Sequence, residues 1–206
     1  MHIREVEKNE KEIIEKVVKI HLETFSGFFL TFMGRGFLKQ MYSSYCVHSD
    51  SGLLVAVNES GDVIGFLAYS GDMSGLYKHM IKKRIIPFAW YSLGAFIRKP
   101  KVFMRLIRAF LKPSESKREE KYIELSSIGV AINHKSLGAG SKLIDELKSK
   151  VNFNEYEYIT LETDAVNNEA ANNFYKKNGF ILKREFETKE GRKMLEYRYS
   201  LEEILA

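Results

Sequence analysis

One cysteine, three prolines and one tryptophan in 206 residues are what this chain most visibly lacks. With Cys46 alone, no internal disulfide can form and no CxxC pair or Cys/His cluster of zinc spacing exists. The histidines (2, 21, 48, 79 and 134) show no ligand spacing, so no metal is expected, and a reducing, cytoplasmic setting fits. No apolar run reaches the roughly 18 residues of a spanning helix. The start, MHIREVEKNEKEIIEK, is charged where a secretory leader would be apolar. Acidic residues are scarce in one place: Lys78 to Arg118 holds 12 Lys/Arg against Glu115 alone, a local charge of +11. The rest of the chain, with 20 basic and 26 acidic residues, is acidic. Such asymmetry suggests an inserted element with its own role toward a partner or substrate.

What is present reads as one α/β domain over 1–206 with a basic helical insertion at about 72–118. HIREV alternates like a short edge strand, and Ile13, Ile14, Val17, Val18 and His21 stand at helical spacing. An aromatic-rich helical stretch follows, punctuated by Gly34 and Gly36, and LLVAVN-ESGD-VIGFLAYS reads as a hairpin. After the basic segment, broken at Pro87, Pro100 and Pro113, come a strand (KYIELSSIGVAI), a glycine turn and a helix. A second strand (YEYITLET), a helix closed by Gly179 and a terminal hairpin complete the chain. This order predicts a mixed sheet of about seven strands with covering helices, the insertion lying between the third and fourth strands.

The turn Gly138-Ala139-Gly140-Ser141-Lys142-Leu143 lacks the lysine and hydroxyl positions of a Walker A loop. It also lacks the third glycine of a dinucleotide fingerprint and starts several residues after its strand. Taken alone, it is either a phosphate-binding turn or a tight helix entry.

Two stretches together carry more. IGVAINHKSLGAG is a strand, a basic residue (Lys135) and G-x-G. Further on, Asn168, Ala171, Phe174, Tyr175, Gly179 and Phe180 form N-x-x-A-x-x-F-Y-x-x-x-G-F. In this order, separated by a helix and a strand, they resemble the GNAT superfamily of acetyl-CoA-dependent N-acetyltransferases over roughly the last 85 residues. The resemblance implies the GNAT fold and acetyl-CoA as co-substrate. Lys135, Ser136, Leu137, Gly138, Ala139, Gly140 and Ser141 would hold its pyrophosphate, with both glycines letting the phosphate approach the backbone. Ile128, Val130, Ala131 and Ile132 would border its arm, an N–H near Val130 would receive the thioester oxygen, and Asn168 would bond the pantetheine amide. It also implies a bend of the strand, expected at Gly129, and Tyr175 as general acid.

Glu124 stands where part of the superfamily keeps a general base; a carboxylate half-buried on a strand would have a raised pKa. Strict alternation places Glu124, Ser126, Ile128 and Val130 on one face up to the bend. The aromatic run Phe25, Phe28, Phe29 and Phe32 either lines an acceptor pocket or packs the helices onto the sheet. The basic segment favours an acidic small-molecule amine, such as a nucleotide- or lipid-linked amino sugar. Peripheral membrane contact through 78–112 and a monomer or homodimer remain open, and no base-reading or RNA-stacking motif points to nucleic acid. The alternative function is a catalytically silent acyl-CoA-binding module attached through that segment.

Overall fold

Period-two alternation in the strands and period-3.6 spacing in the helices sort the apolar residues into two cores on opposite faces of one sheet. The computed structural model describes residues 1–25, 28–83, 97, 100, 120–188 and 191–201. Its strands are β1 (His2–Glu5), β2 (Ser51–Val57), β3 (Val63–Ser70), β4 (Tyr122–Val130), β5 (Tyr158–Asp164), β6 (Ile181–Glu187) and β7 (Lys193–Tyr199). They lie in the order β1-β2-β3-β4-β5-β7-β6. β4 and β5 run parallel and the other five pairings are antiparallel.

On one face lie α1 (Lys11–Thr24), α2 (Phe29–Met33), α3 (Arg35–Tyr45) and α4 (73–83). Ile14, Val17, Val18 and His21 of α1 are buried there, with Leu38 and Tyr42 of α3, against Leu53, Val55, Phe66 and Ala68. The expected single helical stretch is two helices: Gly34 adopts φ +89°, beyond reach of most L-residues, and ends α2, while Gly36 stays inside α3. On the other face α5 (Ala139–Lys150) buries Leu143, Ile144 and Leu147 against Leu54, Leu67, Ile159 and Leu161. This helix is the crossover that a parallel β4/β5 pair requires. α6 (Glu169–Lys177) follows β5 and closes at Gly179, φ +78°, where Lys148 donates to the carbonyl of Asn178 at 2.7 Å. The first part of the expected insertion is α4; the breaks at Pro87 and Pro113, with most of 72–118, lie outside the described residues. Among those described, no helix is long and apolar enough to cross a membrane.

The register between β3 and β4 shifts once. Ala68 faces Ser127 and Tyr69 faces Leu125, which leaves Ser126 as the extra residue of a bulge. The bend is therefore at Ser126, three residues before the expected Gly129. Gly129 has another cause: a Cβ there would meet Phe66 at 2.8 Å. The bulge also corrects the expected alternation. Ile123 and Leu125 lie in the α5-side core, and Ile128 and Val130 pack on that same core. Ser126 reaches Met73 and Ser127 reaches Tyr42, both on the α1–α4 side. Glu124 thus shares a face with the two serines, and Ile128 and Val130 occupy the other.

His21 is sealed among Phe25, Tyr42 and Phe66, with ring centroids 4.8, 5.8 and 6.3 Å away. Burial holds its pKa down, to about 4. Above the ordinary value near 6.5 the ring is neutral in both folded and unfolded chains; below it only the unfolded chain takes the proton, so stability falls until the folded ring also titrates near 4. Urea unfolding should show His21 contributing a loss on the order of 3 kcal/mol between these limits. His21→Gln should lower stability at pH 7 yet flatten its dependence on pH across that window.

Candidate active site

β4 pairs with β5 over only three residues, Tyr122–Tyr158, Ile123–Ile159 and Glu124–Thr160. On its other edge β4 stays paired with β3 through Val130. From Leu125 onward the β5 edge of β4 is therefore open, a split closed at its base by Tyr122 and Tyr158, stacked at 5.6 Å and 1°. The amide of Ala131 donates to Ile64 of β3 at 2.8 Å. By strand alternation Gly129 also turns its backbone toward β3, while Ile128 and Val130 turn theirs into the split. The Val130 carbonyl fits that orientation, accepting the Thr24 hydroxyl from α1 at 3.4 Å.

Beyond the strand, a single 3-10 turn (Ile132–His134) leads into the exposed loop 135–138. Ser136 and Gly138 have φ +65° and +80°, and Gly138 is the N-cap of α5. The first intrahelical bond runs from the Lys142 amide to the Gly138 carbonyl at 3.0 Å. Ahead of it the amides of Ala139, Gly140 and Ser141 meet no side-chain cap. Left-handed loop residues lead into uncapped amides at the positive end of a 12-residue helix, an arrangement whose donors and charge suit a diphosphate. The residues present fit that group without a metal, and among those described no cluster of three His, Cys, Asp or Glu is placed to hold one.

The two glycines divide the work. A Cβ at Gly138 would meet nothing within 4 Å, so its glycine serves the left-handed backbone and the open approach. At Gly140 a Cβ would sit 3.0 Å from the Phe174 ring and 3.7 Å from Val130. That glycine makes room for Phe174 of α6. Through this contact the turn, the end of β4 and the second motif form one unit.

Next to Phe174, Tyr175 is half-buried on the α5-side core, its ring set against Phe174, Phe180 and Tyr197 at 5.5 to 6.1 Å. Burial pushes its hydroxyl up to about 12, which keeps the proton on at neutral pH. Among the described residues that hydroxyl makes no hydrogen bond. Glu124, at the last pair before the split, lies half-buried on the opposite face, where Tyr45 and Tyr77 feel its charge. Two diagonal positions on, Glu162 of β5 shares that face.

Asn168 is the N-cap residue of α6. Its amide nitrogen is spent inside the protein, on Thr163 Oγ1 at 2.7 Å and the Asp164 carbonyl at 3.1 Å. Only its carbonyl oxygen is left for a pantetheine amide. Asn172, which sequence reasoning missed, holds the same carbonyl at 3.3 Å and keeps its own Oδ1 sealed without a partner among the described residues. Of the aromatic run, Phe25 and Phe32 pack against the α1–α4 core and Phe28 is 46% exposed; the Phe29 side chain lies outside the description.

The sequence profile of the Acetyltransferase (GNAT) family matches residues 14–180. The chain belongs to this family. It is thus an acyl-CoA-dependent acyltransferase whose acceptor is an amine. No curated protein sequence matches it at a significant level. Among solved structures it resembles NAA60 of Arabidopsis thaliana in complex with acetyl-CoA, at 16% identity and a TM-score of 0.57 over 98% of both chains. It also resembles the ribosomal-protein-alanine N-acetyltransferase of Brucella melitensis, at 16% identity and 0.59 over 98% of this chain and 100% of that one. Naa20 of Chaetomium thermophilum, solved with a bisubstrate analogue, gives 15% and 0.60 over 100% and 89%. At such identities the likeness is one of fold.

The cradle can be checked by stability alone. Gly140→Ala overpacks against Phe174 and should cost about 1–3 kcal/mol in urea unfolding. Gly138→Ala, with open space around it, should cost only the left-handed strain of about 1–2 kcal/mol.

Proposed function

We propose that this acetyltransferase moves an acetyl group from acetyl-CoA to the primary amine of a small acidic molecule, such as a nucleotide- or lipid-linked amino sugar, by direct attack. The split between β4 and β5 is the observation that carries this reading, since it exposes backbone beside a diphosphate cradle and between two ionisable side chains.

In this reading the amides of Ala139, Gly140 and Ser141 hold the pyrophosphate, with Ser136, Leu137 and Gly138 shaping the loop and Lys135 adding charge. Bound there, acetyl-CoA supplies an activated acetyl group as a thioester. Ile128, Val130, Ala131 and Ile132 border the arm, and the Asn168 carbonyl oxygen accepts its amide proton. The Val130 amide donates to the thioester oxygen as negative charge develops on it. Glu124 takes one proton from the acceptor's ammonium, directly or through water, and the neutral amine so formed attacks the thioester carbon. As the new C–N bond forms and the C–S bond breaks, Tyr175 gives its proton to the departing sulfur, and the proton that the new amide nitrogen sheds returns through water to the phenolate. Glu124 and Glu162 suit the cationic amine end of the acceptor, and the exposed Lys78, Lys82 and Lys83 of α4, at the start of the basic segment, suit its anionic end.

Thiol release from acetyl-CoA should be measured across amino sugars, nucleotide-linked amino sugars, polyamines, aminoglycosides and peptide amines. Tyr175→Phe should slow turnover of the best acceptor roughly 100-fold, and full activity in that variant removes the acid role. Glu124→Gln should displace the acid limb of the kcat/KM profile; an unchanged profile removes the base. Tight coenzyme binding with no turnover on any amine would favour the silent binding module.

A further inference from the structure

The bulge in β4 decides which way the end of the strand faces, so whatever fixes it also fixes the split. Adjacent residues on a strand normally point to opposite faces, yet Ser126 and Ser127 both point toward α3 because one of them is the extra residue. There they meet two tyrosines one helical turn apart. Tyr42 donates to Ser127 Oγ at 3.5 Å, and the Tyr45 hydroxyl lies beside Ser126, whose own Oγ reaches Met73 Sδ at 3.4 Å. Tyr42 is 0% and Tyr45 4% exposed. Behind Tyr42, His21 Nδ1 lies 2.6 Å from the phenol oxygen. With Tyr42 donating to the serine, that nitrogen carries the proton and donates to the phenol. Nε2 is left as a sealed acceptor without a partner among the described residues.

We propose that Tyr42 and Tyr45, with His21 behind them, are positioning residues for acetyl transfer, pinning the Ser126–Ser127 bulge so that Val130 turns its amide into the split. If the bulge were lost, the pairing of β4 beyond it would slip by one residue and reverse every side chain and backbone group there. Ile128 and Val130 would then leave the α5-side face, and the Val130 amide would turn toward β3. Such a slip would also strand two buried phenols and a buried imidazole away from their serine partners, a cost that holds the register. The inference rests on the reading that the split receives the acyl arm of the coenzyme; the positioning residues themselves touch no substrate.

Two ligands separate positioning from mere folding. Acetyl-CoA uses both cradle and split, whereas 3′-phospho-ADP carries the pyrophosphate without the arm. In calorimetric titrations Tyr42→Phe and Ser127→Ala should each weaken acetyl-CoA about tenfold, the equivalent of one lost hydrogen bond, and leave 3′-phospho-ADP within about twofold. Ser127→Thr, which keeps the hydroxyl, should restore the affinity. Equal weakening of both ligands, or of neither, overturns the proposal. Hydrogen exchange on the free protein supplies a second reading that needs no ligand. In Tyr42→Phe, exchange across 125–131 should rise about tenfold while β2 stays protected. A rise shared by both strands, or none, overturns the proposal as well. A wild-type protein that bound no acetyl-CoA would instead remove the proposed function, leaving exchange to decide the role of the tyrosines.

Discussion

Three residue pairs join the two halves of this sheet, and the early end of that parallel pairing at Glu124 is the constraint on which the site depends. A strand edge opened inside a domain exposes donors and acceptors that ordinary pairing would satisfy, so both halves must be stiff enough not to close. β5, β7 and β6 form one antiparallel unit, pinned where Glu196, 0% exposed, takes Arg184 Nε at 2.6 Å and Arg198 Nε at 2.8 Å. A buried carboxylate held by two guanidinium groups is costly to disturb, because removing both would strand its charge. β4 belongs to the other half, fixed to β3 along its length and gripped through its bulge by α3. The split is a boundary between two stable units rather than a frayed edge.

Across that boundary the bond is one of packing. Gly140 at the start of α5 receives the Phe174 ring of α6, and Val130 closes the third side. Placing the glycine turn, the open strand end and Phe174, the neighbour of Tyr175, in mutual contact therefore needs no hydrogen bond between them, only a missing Cβ. The G-x-G turn and the N-x-x-A-x-x-F-Y stretch are two halves of one contact, which gives a physical reason for them to occur together in a chain.

That link bears on how much the sequence alone reveals. Element order, the edge position of β1, both hairpins and the helix closed by Gly179 were legible, because each follows from local periodicity or from a glycine in the left-handed region. Position along β4 was not. Gly129 looks like the natural place for a bend, but its lack of a Cβ answers to Phe66 from the neighbouring strand, a nonlocal contact. The bulge falls instead at two serines whose only sequence signal is their polarity inside an apolar strand. Reading Ser126 and Ser127 as partners for buried tyrosines would have required knowing that α3 lies over them. Asn168 shows the same limit: its type fits a ligand contact, yet half of its hydrogen-bonding capacity is spent holding the end of β5.

The phase change at the bulge has a chemical corollary. Glu124 precedes it and lies on the α1–α4 face; Ile128 and Val130 follow it and lie on the α5 face, where Tyr175 packs. In the proposed reaction the proton acceptor and the proton donor therefore stand on opposite sides of one strand. Only where that strand has left β5 can a single carbon be reached from both sides. On that reading an amine arriving over the Glu124 face meets one face of the thioester carbonyl, and the sulfur that leaves is reached by Tyr175 from the other side of the strand, so neither group has to cross the sheet. An unbulged β4 would put Val130 on the same face as Glu124, and the acyl arm and the amine would compete for one side of the strand.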